Sequence, residues 1–159
     1  MIFKLGYNVN NNQMEENMRN SARGIIIRDG KVLVMFRRRI DNGEKREYYV
    51  VPGGGIEDGE TPELAVVREL KEEMCIDAKI LGYLGKGETK SGYAYYYACE
   101  IPDSQTPHLG GEELEKLSEA NYYEPMFIDI DSINDLDLVG KEFVFPALNR
   151  EYKECGVEA

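Results

Sequence analysis

The sequence predicts an α+β layered domain. Short β-branched and aromatic runs lie before and after one amphipathic helix, and a second helical stretch follows near the end. Length agrees: 159 residues suffice for one domain with a hydrophobic core and are few for two. No internal repeat or linker divides the chain, so one domain is expected over 21–154.

Residues 1–20 are polar and Asn-rich, with Leu5, Tyr7 and Val9 alternating. They read as a flexible leader or an edge strand, and 155–159 as a tail. Ala22 to Ile27 is a β-branched run, Asp29-Gly30 a hairpin turn and Lys31 to Phe36 a second strand. Arg37, Arg38 and Arg39 follow, then a polar loop through Asn42-Gly43 to Arg46. Tyr48 to Val51 is a short strand entering the glycine loop Pro52-Gly53-Gly54-Gly55. The central helix has clear start signals: Thr61 as N-cap, Pro62 at the first helical position and Glu63 at the positive end of the dipole. Val66, Val67, Leu70 and Met74 form its apolar stripe. Strands are expected near Ala78–Leu84 and Tyr93–Glu100. The polar stretch from Pro102 to Asn121 reads as a long loop with a helical turn at Glu112–Leu117, a length often associated with function. Glu124 to Ile130 is another strand, Asp131–Leu136 a helical turn, and Pro146 to Lys153 a terminal helix.

Acidic residues outnumber basic ones by 30 to 19, for a net charge of −11. Nucleic acids and anionic membranes are repelled by such a chain and are not expected partners. An anionic substrate would need metal ions or a local basic patch. Cys75, Cys99 and Cys155 show neither metal-knuckle spacing nor a disulfide framework, and no apolar leader or membrane-length run is present. The default expectation is a cytoplasmic setting. His108 is the single histidine, which argues against a histidine zinc site or a Ser-His-Asp triad; it reads as a solvated loop residue. A homodimer is compatible with the sequence.

The chemistry concentrates in Gly54 to Ile76, GGIEDGETPELAVVRELKEEMCI. Side chains three and four apart share a helix face. Glu69, Glu72 and Glu73 therefore crowd one patch, with Arg68 beside them. Clustered carboxylates call for a counter-cation, and hard divalent ions such as Mg²⁺ take oxygen ligands while keeping waters. Three glutamates at this spacing would alone be a solvated face.

The stretch resembles the Nudix box: Gly, five residues, Glu, seven residues, then Arg-Glu-apolar-any-Glu-Glu-any-Gly-apolar. Gly54, Glu60, Arg68, Glu69, Leu70, Glu72, Glu73 and Ile76 fill its places, and Cys75 stands where the pattern has Gly. That glycine suits a left-handed helix cap, which a residue with a Cβ fills at a cost of about 1–2 kcal/mol. The resemblance implies a Nudix-type α/β/α sandwich with a mixed β-sheet over about Ala22 to Lys153. It also implies a Mg²⁺-dependent pyrophosphohydrolase, with Mn²⁺ as an alternative ion, acting on a small nucleotide: a nucleoside diphosphate linked to a group X. Glu72 and Glu73 become the leading metal ligands, and Glu69 a third ligand or the base that takes the proton of the attacking water. A backbone carbonyl of Gly53 or Gly54 is a further ligand, approached without a Cβ in the way. Arg68 would steady the carboxylates through Glu72 or Glu60. Nudix enzymes often bring an extra acid from beyond the box, and Glu113 is the choice among Glu112, Glu113 and Glu119.

Substrate contacts are sought outside the box. Arg37 and Arg39 face one way in a strand and suit phosphate, or they belong to a solvated run. Arg23 begins a strand and stands equally open. Tyr93, Tyr95 and Tyr97 alternate on one face, fit for stacking on a base or for sheet packing. The ADP-ribose subgroup tends to carry a proline where Ser91-Gly92-Tyr93 stands, and the dinucleoside polyphosphate subgroup a tyrosine near Tyr93. A different class remains: a sensor on the same fold that holds a nucleotide without cutting it. Such proteins usually lose a box carboxylate, and this chain has lost none.

Overall fold

The computed structural model of the chain describes residues 18–154, so the first 17 residues of the leader expected over 1–20 and the tail over 155–159 lie outside them. The described chain runs β1 (Ser21–Arg28), β2 (Lys31–Asp41), β3 (Glu44–Val50), β4 (Gly53–Gly55), α1 (Pro62–Met74), β5 (Lys79–Thr89) and β6 (Gly92–Glu100). Then come α2 (Gly111–Glu115), β7 (Asn121–Asp129), β8 (Leu138–Val139) and α3 (Val144–Leu148), with 3₁₀ turns at Ile130–Asp135 and Lys141–Phe143.

β1 organises the sheet. Its first six residues pair in parallel with β6, from Ser21↔Ala94 to Ile26↔Cys99. Ser21, Ala22 and Arg23 also pair with β4, whereas Ile27 and Arg28 pair with β2. Beyond that hairpin β2 is flanked by β3 and β7. The result is one mixed, curled sheet in the order β5-β6-β1-β2-β3-β8, with β4 and β7 branching from it.

Each face of the sheet carries a core. Ala65, Val66, Leu70 and Met74 of α1 pack on Ala22, Ile26, Leu33, Met35, Tyr97 and Cys99. Gly24 lets the helix come close: a Cβ there would sit 2.8 Å from Leu70 Cδ1 and 3.4 Å from Val66 Cγ2. On the other face Ile25, Val32, Val34 and Ala98 meet Ile130, Ile133, Val144 and Ala147. Helix, sheet and helix thus form the expected α/β/α layers.

Several boundaries differ from the sequence reading. Ile40, Asp41 and residues 44–46 are strand, not loop, because Asn42 and Gly43 (φ 52° and 79°) make a two-residue hairpin turn that extends both β2 and β3. The glycine loop is strand β4. Val67 is 37% exposed, and Ala65 takes its place in the buried stripe. The last helix ends at Leu148 rather than Lys153. Arg19 and Asn20, assigned to the leader, already bond to the β5–β6 hairpin and beyond: Arg19 N donates to Ser91 O (2.7 Å), and Ile56 N to Asn20 O (2.9 Å).

The caps of α1 follow the sequence. Thr61 Oγ1 accepts from Leu64 N at 3.2 Å. Cys75 adopts the left-handed conformation at φ 57°, and its N–H reaches Lys71 O at 3.1 Å. Cys75→Gly removes the Cβ strain but adds freedom to the unfolded chain. The net expectation is a gain of about 1 kcal/mol, read from the urea unfolding midpoint at unchanged slope.

Candidate active site

The acid face of α1 lies over β4, and Arg68 organises it. A guanidinium has five N–H donors, and each meets an acceptor. Nε donates to Glu60 Oε1 (2.7 Å), and Nη2 to Glu60 Oε2 (2.9 Å) and Gly55 O (2.9 Å). Nη1 donates to Glu69 Oε1 (2.8 Å) and Glu72 Oε2 (3.1 Å). Arg68 therefore reaches both partners proposed for it and Glu69 besides. Its neighbours hold it protonated, Glu60 above all. The Glu60 carboxylate also accepts from Glu57 N at 3.0 Å, which ties the loop before the helix to the same hub.

The glycines answer to the carboxylates. A Cβ at Gly54 would collide with the Glu69 carboxyl, and one at Gly53 (φ 148°) with the backbone of Ala22. Glu69 is thus pressed against the Gly54 backbone. Glu72, with 57% of its side chain exposed, sits at the rim.

The other end of α1 is closed by the long loop. Gly110 N donates to Glu73 O (2.8 Å) and His108 N to Met74 O (3.1 Å), satisfying carbonyls that a helix end leaves open. Gln105 and Asp77 clasp the loop to the chain just after α1. Asp77 N donates to Gln105 Oε1 (2.7 Å), and Gln105 Nε2 to Asp77 Oδ2 (2.6 Å). Arg28 adds bonds to the carbonyls of Gln105 (3.0 Å) and Pro102 (2.9 Å). This anchoring delivers Glu113 to Glu73. Burial, then the charges of Glu113 and Glu69, push the Glu73 carboxyl far above the usual carboxylate range, and Arg23 acts against them. Glu69 is raised too, by burial, against the pull of Arg68.

Among the described residues, no three His, Cys, Asp or Glu side chains already converge on a point suited to a metal. The donor chemistry nonetheless fits a hard divalent cation. Arg68 compensates Glu60, Glu69 and Glu72, and Glu73 and Glu113 lie outside its hydrogen bonds. They form an all-oxygen set whose mutual repulsion a cation would relieve.

The residues expected to touch substrate divide. Arg23 lies beside the acids and donates to Val51 O at 3.1 Å. Arg37 is half-buried against Tyr123, whereas Arg39 is exposed near Asp41. Tyr93 lies under Lys86 Nζ, 4.6 Å from the ring centroid. Tyr95 packs against the helix-side core, and Tyr97 is buried with its hydroxyl donating to Glu63 at 2.9 Å, so sheet packing claims these two. The Gln105–Asp77 clasp had no local signal in the sequence. A cavity of about 260 Å³ on the opposite face, lined by Ile25, Leu81, Ala147 and Tyr152, contains none of the box acids.

A NUDIX domain model matches residues 18–138. The chain belongs to the NUDIX domain family. It is 44% identical over 62 residues to an ADP-ribose pyrophosphatase of Methanocaldococcus jannaschii, covering 39% of this chain and 35% of that protein. It is 49% identical over 57 residues to an 8-oxo-dGTP diphosphatase of Escherichia coli, covering 35% and 42%. The chain thus spans less than half the length of these curated relatives. A NUDIX hydrolase structure from Nitrosomonas europaea shares the fold, with a TM-score of 0.61 at 16% identity over 86% of this chain and 91% of that one.

Arg68 holds the Glu60 carboxyl down to about 2. A folded-state value below the unfolded one stabilises fully above the ordinary carboxylate range and is lost as pH falls towards 2. Thermal melts from pH 6 to pH 2 should therefore show Glu60→Gln less stable than wild type at pH 6, the gap closing as the pH drops. A gap of constant size would contradict the Arg68 pairing.

Proposed function

We propose that this chain is a divalent-cation-dependent pyrophosphohydrolase that cleaves a nucleoside diphosphate linked to a further group. The observation that carries the reading is the acid cluster around Glu73: buried, crowded by Glu69 and Glu113 with Arg23 as the opposing charge, and outside the hydrogen bonds of Arg68. Glu72, Glu73 and Glu113 would hold the cation, with a carbonyl of Gly53 or Gly54. Bound Mg²⁺, or Mn²⁺ in its place, would neutralise phosphate oxygens and acidify water.

The residues supply the rest. Glu69 is fixed over Gly54 through Oε1, leaving Oε2 outside the Arg68 clamp, and it is our choice for the base. A water oxygen bonds to phosphorus while the bridging P–O bond breaks. The bond's electron pair leaves with the departing phosphate, and the water's proton passes to Glu69. Arg23, adjacent to the acids, would meet a phosphate oxygen. Cys75 and Cys99 are free thiols, in keeping with a reducing, cytoplasmic setting. Among the described residues no helix is long and apolar enough to cross a membrane.

Turnover of a nucleotide panel with Mg²⁺, after chelation and after Mg²⁺ is restored, tests the reaction. Glu69→Gln is expected to lower kcat by about 10²–10⁴-fold with the Mg²⁺ requirement little moved. Glu73→Gln should instead raise the Mg²⁺ concentration needed for half-maximal rate. No turnover by wild type, or full activity of Glu73→Gln at low Mg²⁺, would overturn the reading.

A further inference from the structure

We infer that Gln105 is a positioning residue of the cation site. Its side chain, locked to Asp77, seats the loop that brings Glu113 to Glu73, and so sets how tightly the acids hold a divalent ion. The inference rests on the reading above that gives Glu113 to the cation.

Glu113 needs outside help to stay where it is. It sits on α2, which has five residues and buries none of them. A helix this short is not stable alone in water. Leu114 and Leu117, the large apolar side chains of this stretch, are 53% and 41% exposed, so no apolar anchor pins it. Gly110, its N-cap, has no side chain to bond. Charge opposes the arrangement as well. Glu113 meets Glu73, and two carboxylates this close repel unless a cation or proton stands between them.

The position of Glu113 is therefore imposed from the flanks. Downstream, Asn121 Nδ2 donates to Lys116 O (3.1 Å) and Ile40 N to Ala120 O (2.9 Å), which ties the far end of the segment to β2. Upstream, the backbone of His108 and Gly110 bonds the carbonyls of Met74 and Glu73. A Cβ at Gly110 would lie 2.8 Å from Cys75 Sγ and 3.0 Å from Glu72 O, and one at Gly111 (φ 62°) 3.0 Å from Glu72 O. Glycine lets the loop approach the helix end this closely.

The side chains that secure this seat meet at Gln105. Its Oε1 accepts from Asp77 N (2.7 Å), and its Nε2 donates to Asp77 Oδ2 (2.6 Å). Its backbone carbonyl accepts from Arg28 Nη1 at 3.0 Å. Among the described residues, the side-chain hydrogen bonds that join 102–110 to the rest of the fold are those of Gln105 and Arg28. Arg28 also lies over the Phe127 ring, 5.6 Å from its centroid, and so serves the sheet as well. The Gln105 side chain serves the loop. Asp77 lies three residues past the end of α1, so the clasp ties the loop to the same helix end that carries Glu73. The pair needs an acceptor and a donor on one side chain of this length. Glutamate lacks the donor, and asparagine is one carbon short.

The test reads the loop and the ion before it reads turnover. Amide hydrogen exchange in chelator should be faster at His108 and Gly110 in Gln105→Ala than in wild type, with the middle of α1 unmoved. Mn²⁺ binding, followed by the electron paramagnetic resonance of the free ion, should weaken about tenfold. The same substitution in a Glu113→Gln background should add little, because the ligand it misplaces is already gone. Gln105→Glu should also weaken Mn²⁺. Gln105→Glu/Asp77→Asn should restore it, since donor and acceptor are then exchanged across the pair. In turnover, Gln105→Ala should raise the Mg²⁺ concentration for half-maximal rate more than it lowers kcat. Unchanged exchange at His108 and Gly110, unchanged Mn²⁺ affinity, an equal loss in the Glu113→Gln background, or no rescue by the exchanged pair would overturn the inference and leave the hydrolase reading standing. No turnover of any nucleotide by wild type, with exchange and Mn²⁺ binding as expected, would sink the hydrolase reading and leave the clasp in place. Thermal melts show that each variant is folded, and the exchanged pair keeps the test decisive if Gln105→Ala does not fold.

Discussion

The guanidinium of Arg68 is the interaction on which the acid face of α1 depends. Three box glutamates on one side of a helix repel one another, and the helix would gain nothing from gathering them. Arg68 changes that balance by giving all five of its donors to Glu60, Glu69, Glu72 and Gly55. It fixes the loop before the helix, orients two of the acids and joins the helix to β4. Its limited reach matters equally. Glu73 and Glu113 stay outside its hydrogen bonds, and burial with the nearness of Glu113 and Glu69 raises the Glu73 carboxyl against the pull of Arg23.

A second constraint works from the far end of α1. The helix must end where its acids begin to serve, and its last carbonyls need donors. Cys75 turns the chain back in the left-handed conformation, while the backbone of His108 and Gly110 supplies N–H groups. One loop therefore does two tasks: it completes the helix and carries Glu113 to Glu73. Gln105, Asp77 and Arg28 keep it there.

Local signals were legible and long-range ones were not. Thr61, Pro62 and the box spacing located α1 and its acid face, because capping and helical periodicity act within a few residues. The Asn42-Gly43 pair was equally visible, but the charged residues around it hid a strand pairing. Arg37 to Arg39 and Lys45 to Glu47 are polar, and the pattern of a half-buried strand was absent. Once the turn is accepted, Arg46 must stand opposite Arg39. Tyr48 and Tyr123 carry no local signal, since only strand pairing brings them to Arg37. The contact of Glu113 with Glu73 and the Gln105–Asp77 clasp likewise join residues that no sequence window contains together. Tyr95 and Tyr97 show the reverse: alternation placed them on one face correctly, and burial decided what that face does.

The parallel pairing of β1 with β6 has a consequence for how the molecule is made. Hairpins such as β1–β2 and β2–β3 close over two residues, whereas Ser21 waits for Ala94. Loop closure over that span is slow compared with hairpin formation. During synthesis from the N-terminus, the whole box helix leaves the ribosome before its supporting strand exists. Val66, Leu70 and Met74 are then an apolar stripe with half a surface to rest on. The acid face is written early in the chain, and its rigidity arrives late, when β6 docks and the loop after it closes over the end of α1.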